Sequence, residues 1–153
     1  RALDVPGYER LPLAPATRFI ATMNYGYAGT RELNEALASR FVVLQMPAIS
    51  PENLDRLLSR HFPALRKKPR QQLCQLFFEL QAKCEAGEIS TKALDLRGLL
   101  DALELMEAGI PAGAALDMGV TRKTFDRYEQ DLIRDVMAAR ISLKLTRDQL
   151  FDR

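Results

Sequence analysis

The chain has 153 residues, 47% apolar and 27% charged, a size and balance ordinary for roughly one soluble globular domain. Low-complexity disorder is excluded by that composition, and no apolar run approaches the ~18 residues of a membrane span. The net charge of +2 is too small to argue for a nucleic-acid partner by itself. The opening residues do not read as a basic-then-apolar secretory leader, and none is expected. The first residue is Arg1 rather than methionine, so the chain is read as a piece of something longer.

The first 48 residues are patterned differently from the rest. ALDVPGYERLPL is extended, with Pro6-Gly7 as a turn signal between two short arms. RFIATMN, Arg18 to Asn24, is a short apolar run that predicts a strand. A glycine-punctuated loop, YGYAG, follows. Thr30 is placed to cap a short helix over RELNEALAS, and FVVLQM, Phe41 to Met46, predicts a buried strand. Two or three strands do not make a stable parallel sheet alone, so the remaining strands are expected elsewhere.

From residue 49 to 153 the pattern is helical. Ser50-Pro51 reads as a cap followed by proline at the first helical position. Leu54, Leu57, Leu58, His61 and Phe62 then recur at helical spacing until Pro63. Pro69 is expected to open a second helix striped by Leu73, Leu76, Phe77, Leu80 and Cys84, with Gly87 closing it. Ser90 is expected to cap a third, with Leu96, Leu99, Leu100, Leu103 and Met106 on one face and Gly109 after it. A short helix over Ala112 to Asp117 follows. A long segment after Thr121 is striped by Phe125, Tyr128, Leu132, Val136 and Ile141. Thr146 to Gln149 is a capping-box pattern opening a helix that Arg153 cuts short. The fold expected is an α/β portion over 1–48 followed by an all-α bundle over 49–153.

Cys74 and Cys84 fall in one helical pattern, about 15 Å apart along the axis. That exceeds the ~7 Å reach of a disulfide, so both are read as reduced thiols of a cytoplasmic protein. With His61 the sole histidine, a zinc site lacks ligands and a Ser–His triad lacks support. Lys67, Lys68 and the adjacent arginines form a local basic patch without interleaved aromatics, and nucleic-acid binding is not expected there.

Three places could carry chemistry. Asn24 follows an apolar strand pattern, where α/β sheets bind ligands. Arg40 ends a helix pattern and could project a guanidinium to a neighbour's phosphates. Lys92 and Arg97 sit at a helix start, a favourable place for phosphate. On one continuous helix these two point about 140° apart, with Lys92 nearer the leucine stripe. Gly98, in mid-helix, predicts a close approach to a neighbouring element.

The order of these features, with RFIATMN, GTRELNEAL, SRFVV and ISTKALDLRGLL, resembles the second half of an AAA+ ATPase. The likeness is to the MoxR-type and CbbQ/NirQ-type branch, related to the dynein-like group. It covers roughly Arg1 to Arg140 and is strongest over residues 18 to 46. The resemblance implies that Asn24 is the sensor 1 asparagine and Arg40 the arginine finger. Lys92 stands in the sensor 2 slot, which usually holds arginine, and Arg97 is the second candidate. The LDVPGYERLPL arm would be the hairpin inserted before sensor 1, with Gly7 at its tip facing a central pore.

The chain has no GxxxxGK[ST] loop and no acidic pair closing an apolar run in the Walker B manner. ATP and Mg²⁺ are therefore expected in an intact, longer protein, and neither tight binding nor hydrolysis is expected of this chain alone. The partners implied are neighbouring subunits of a ring, a hexamer by analogy, and a von Willebrand factor A-domain protein. No nucleic acid and no membrane are implied. The activity implied is ATP hydrolysis coupled to remodelling, activation or cofactor insertion of a partner. The rival reading is a non-catalytic helical interaction or regulatory domain; a DNA-binding helical domain is disfavoured by the nearly balanced charge.

Overall fold

The computed structural model describes residues 2–23 and 34–152, which divide between two units, Arg1–Met46 and Pro47–Arg153.

In the first unit, β1 (Ala2–Leu3) and β2 (Leu11–Pro12) pair antiparallel, Ala2 opposite Pro12 and Leu3 opposite Leu11. Between them the Tyr8 N–H donates to the Val5 carbonyl at 3.0 Å. Pro6 fixes φ at the second turn position, and Gly7, at φ +85°, supplies the left-handed third position. The turn signal in the sequence is thus realised. Helix α1 is a single turn, Glu35–Ala38. It is capped by Asn34, whose side chain accepts from the Ala36 N–H at 2.8 Å. Thr30, the expected cap, lies outside the described residues.

The two expected strands differ from the reading. Residues 18–23 and Phe41–Met46 have no regular structure, and Ile20, Val42 and Leu44 are 93%, 89% and 81% exposed. Neither run has a ladder partner among the described residues. A strand's backbone N–H and C=O groups close only on a neighbour, so strand-forming side chains alone do not make a strand. The α/β portion is therefore reduced, among the described residues, to a two-stranded hairpin and one helical turn.

The second unit is a helical bundle with its own core. Helix α2 (Pro51–His61) starts where the Ser50 side chain accepts from the Asn53 N–H at 3.3 Å. Leu54 and Leu58 are fully buried, whereas His61 is exposed. Helix α3 (Lys67–Glu85) starts two residues before Pro69 and buries Leu73, Leu76, Phe77 and Leu80. Gly87, at φ +73°, ends it. The Gly87 and Glu88 N–H groups return to the Cys84 and Lys83 carbonyls, the double bond of a left-handed C-cap. Gly109 ends α4 (Leu96–Glu107) in the same manner. Helix α5 (Ala112–Gly119) packs on α4, and α6 (Arg127–Arg140) packs on α3.

Two further helix starts depart from the sequence reading. Ser90 opens only a 3-10 turn, Thr91–Ala93; α4 begins separately after Asp95, whose carboxylate accepts from the Arg97 N–H. Thr121 opens another 3-10 turn, Thr121–Lys123, and α6 starts only after Asp126. The buried face of α6 is Ile133, Val136 and Met137, continued by Ile141. Tyr128 lies five residues before Ile133, about 140° round the helix. It is 74% exposed, and Phe125, ahead of the helix, is 89% exposed.

The last correction concerns α7 (Arg147–Leu150). The Thr146 N–H donates to Gln149 Oε1 at 3.0 Å, as a capping box requires. The helix then ends at Leu150, where Phe151 turns extended and bridges Leu65. Arg66 N–H to Leu150 carbonyl at 2.9 Å and Asp152 N–H to Ala64 carbonyl at 2.7 Å complete that seam. Phe151 is buried, so the end of the chain is part of the core. No helix among the described residues is long and apolar enough to cross a membrane.

Candidate functional site

The four residues singled out from the sequence fall in two units. Asn24 lies outside the described residues. Arg40 is exposed, one residue past the cap of α1, and its guanidinium turns back to donate to the Ala36 carbonyl. A cation at this end complements the partial negative charge of helix carbonyls, which is what holds the side chain there.

Lys92 and Arg97 are both exposed in the second unit, and neither makes an ion pair among the described residues. Their relation differs from the sequence reading. Lys92 is in the 3-10 turn, Arg97 in the first turn of α4, and Leu94 and Asp95 between them are non-helical. The angle drawn on a single continuous helix therefore does not apply, and it gives no preference between them.

The ground under these cations is held firmly. Glu129, from the first turn of α6, accepts from the Ser90 N–H at 3.0 Å and from the Ser90 hydroxyl at 2.9 Å. The Thr124 hydroxyl donates to the same carboxylate at 2.6 Å. That bond first, with the Ser90 bonds, outweighs the effect of burial and holds Glu129 below the usual carboxyl range. Asp126 caps α6 by accepting from the Glu129 N–H at 3.1 Å. One carboxylate thus ties the loop before Lys92 to the start of α6.

The neighbouring crossing is equally tight. Gly98 and Gly119 are buried against one another, and a Cβ on either would run into the other's carbonyl oxygen. This is the close approach that Gly98 predicted. Lys123 reaches Asp95 at 3.6 Å across the same crossing. On α5, Asp117 pairs with Arg122 at 2.8 Å and Arg134 at 3.0 Å. Partial burial raises its pKa, but the bonds and charges of the two arginines prevail and hold it low.

Glu129 escaped the sequence reading. Its signal was the Asp126-x-x-Glu129 spacing of a capping box, but the Glu side chain reaches to Ser90, 39 positions away, instead of to its own cap. The thiols are free, and Cys74 is pushed up to about 11 by burial and, secondarily, by the charge of Asp55. No group of three or more His, Cys, Asp or Glu positioned to hold a metal occurs among the described residues.

Among curated proteins, the chain is 33% identical over 117 residues to "Uncharacterized protein YojN" of Bacillus subtilis (strain 168), covering 76% of this chain and 38% of that protein. It is 30% identical over 129 residues to "Uncharacterized protein SH1500" of Staphylococcus haemolyticus (strain JCSC1435), 84% of this chain and 49% of the other. "Uncharacterized protein SAUSA300_1302" of Staphylococcus aureus (strain USA300) is 30% identical over 125 residues, 82% and 47%. The chain thus spans between about two fifths and half of these relatives. No family model matches it. No solved structure matches it.

Proposed function

We propose that this chain is the carboxyl-terminal part of a MoxR-type AAA+ ATPase, in which ATP hydrolysis drives remodelling, activation or cofactor insertion of a partner protein. The observation that carries the reading is a contrast within one chain. A helical unit closes its own core, while Phe41–Met46, uncharged and mostly apolar, is exposed with no ladder partner among the described residues. An AAA+ core would supply that sheet, and the helical unit would be its lid. The relatives, about two to two and a half times as long as the stretch they share with this chain, leave room for such a core.

In this reading the chain contributes cations and not the phosphate cradle. Arg40, exposed at a helix end, would reach nucleotide on an adjacent ring subunit. Lys92 or Arg97 would meet the terminal phosphate, on ground fixed by Glu129 and by the Gly98–Gly119 crossing. ATP with Mg²⁺ would supply the scissile anhydride and be held by residues outside this chain. Exposed, unpaired cations fit that auxiliary role; nothing among the described residues encloses a triphosphate.

The test uses the longer protein. With a GxxxxGK[ST] loop preceding this stretch, Arg40→Ala should cut hydrolysis by about a thousandfold. Affinity for a fluorescent ATP analogue should stay within about twofold, because a trans-acting charge is not part of the ground-state pocket. Equal turnover in mutant and wild-type rings, or an unrelated sequence preceding Arg1, overturns the reading. The second reading, a non-catalytic interaction module, draws on Phe125 and Tyr128, two aromatics displayed outward from the start of α6.

A further inference from the structure

The basic patch at the corner between α2 and α3 is not used by the reading above. Arg56 to Arg70 holds six of the chain's 22 Lys and Arg and none of its 20 Asp and Glu. The rest of the chain carries sixteen cations against twenty carboxylates, so charge is segregated on a nearly neutral molecule. Two of the six are neutralised: Arg70 pairs with Asp55 at 2.8 Å and Arg66 with Asp152 at 2.9 Å. Arg56, Arg60, Lys67 and Lys68 are exposed and make no ion pair among the described residues.

Two features show that this arrangement is not one that folding alone favours. Lys67 and Lys68 are the first two residues of α3, where the positive end of the helix repels cations. That first turn has no acidic residue and no side-chain cap. The corner is nevertheless rigid, with Phe62 and Leu65 buried beneath it and Leu65 bridged to Phe151. A bound anionic group would offset both the positive charge that Lys67 and Lys68 add to the helix start and the amides there that no side chain caps.

We infer that the α2–α3 corner, through Arg56, Arg60, Lys67 and Lys68, is a docking surface for an acidic segment of a partner protein. A short segment fits better than an extended polyanion, because the rest of the chain is net negative in sequence and would repel a long phosphate chain. His61 is the one exposed aromatic between Arg56 and Arg70, so the patch lacks the succession of rings on which the bases of a nucleic-acid strand stack. Nor can the chain serve as its own ligand in this way: no two Asp or Glu are adjacent anywhere in its sequence. The inference is independent of the ATPase reading.

The probe is a random dodecapeptide library displayed on phage and selected against the whole chain. Expected is enrichment of peptides rich in Asp and Glu, whose binding weakens with added salt. Lys67→Glu with Lys68→Glu should weaken them about tenfold or more, and Arg56→Glu with Arg60→Glu comparably. The Lys67→Glu, Lys68→Glu protein should melt no lower than wild type, since carboxylates suit that helix end. Lost binding therefore cannot be ascribed to unfolding. Failure to enrich acidic peptides, or binding that survives both double substitutions, overturns the inference. So does tighter capture of duplex DNA or phosphatidylserine vesicles than of the selected peptides, or a dimer in sedimentation that Lys67→Glu, Lys68→Glu dissolves.

Discussion

Residues 41–46 and residues 96–107 are both rich in large apolar side chains, yet they fare in opposite ways. In α4, Leu99, Leu103 and Met106 are almost wholly buried; in Phe41–Met46, every side chain is exposed. Hydrophobicity does not separate them. The helix closes its backbone bonds within itself and needs only one apolar face covered, which α5 provides. The strand-forming run needs a partner on at least one edge before its side chains can be buried. The contrast teaches that apolar content predicts burial only where the chain supplies the complementary surface.

The sharpest way to break that comparison is to truncate one side chain in each region. Leu103→Ala should cost about 2–5 kcal/mol of the helical unit's stability in urea unfolding. Val43→Ala should change it by less than ~0.5 kcal/mol, as for a surface position. Comparable losses would mean that Phe41–Met46 is buried in solution. A smaller effect is expected at the α4–α5 crossing. Gly98→Ala gains about 1 kcal/mol of helix propensity but forces a methyl onto the Gly119 carbonyl. The cost of overpacking, about 1–3 kcal/mol, should win, so the variant unfolds at lower urea than wild type.

The smallest effect is a pH dependence inside the helical unit. Glu129 is held below its usual range when folded, so it stabilises the fold above its unfolded value, about 4.3. That contribution is lost as pH falls through the lower, folded value. Thermal melts of wild type should therefore decline with acidification over this window. Glu129→Gln should melt lower at neutral pH, and its difference from wild type should shrink as the pH falls below about 4.3. A constant difference across the window would show that Glu129 acts by shape instead of charge.

Local signals account for much of what was legible. Ser50-Pro51, Gly87, Gly109, Pro6-Gly7 and Thr146 to Gln149 each act within four or five residues, and each does in the fold what its spacing predicts. The stripe of α6 failed for two reasons: the helix starts only at Arg127, so Phe125 stands ahead of it, and Tyr128, inside it, lies about 140° round from Ile133, off the buried face. The relation between Lys92 and Arg97 failed for the same kind of reason. Asp95 restarts the helix between them, and no count along the chain reveals which of two neighbouring caps will win. Of the candidate site, the sequence marked the cations and Gly98 but not the carboxylate that fixes the ground beneath them.

What the sequence determined by itself was therefore the set of elements with internal hydrogen bonding: the helices, their C-caps and the hairpin turn. Their periodicity and punctuation suffice, because each bond closes within a few residues. The tertiary structure decided everything that depends on distant partners. It gave Glu129 to Ser90, set Gly98 on Gly119, drew Phe151 back to Leu65, and left Phe41–Met46 exposed, with no ladder partner among the described residues. Those outcomes turn on which surfaces meet, and a one-dimensional pattern records the chemistry of each surface without recording its partner.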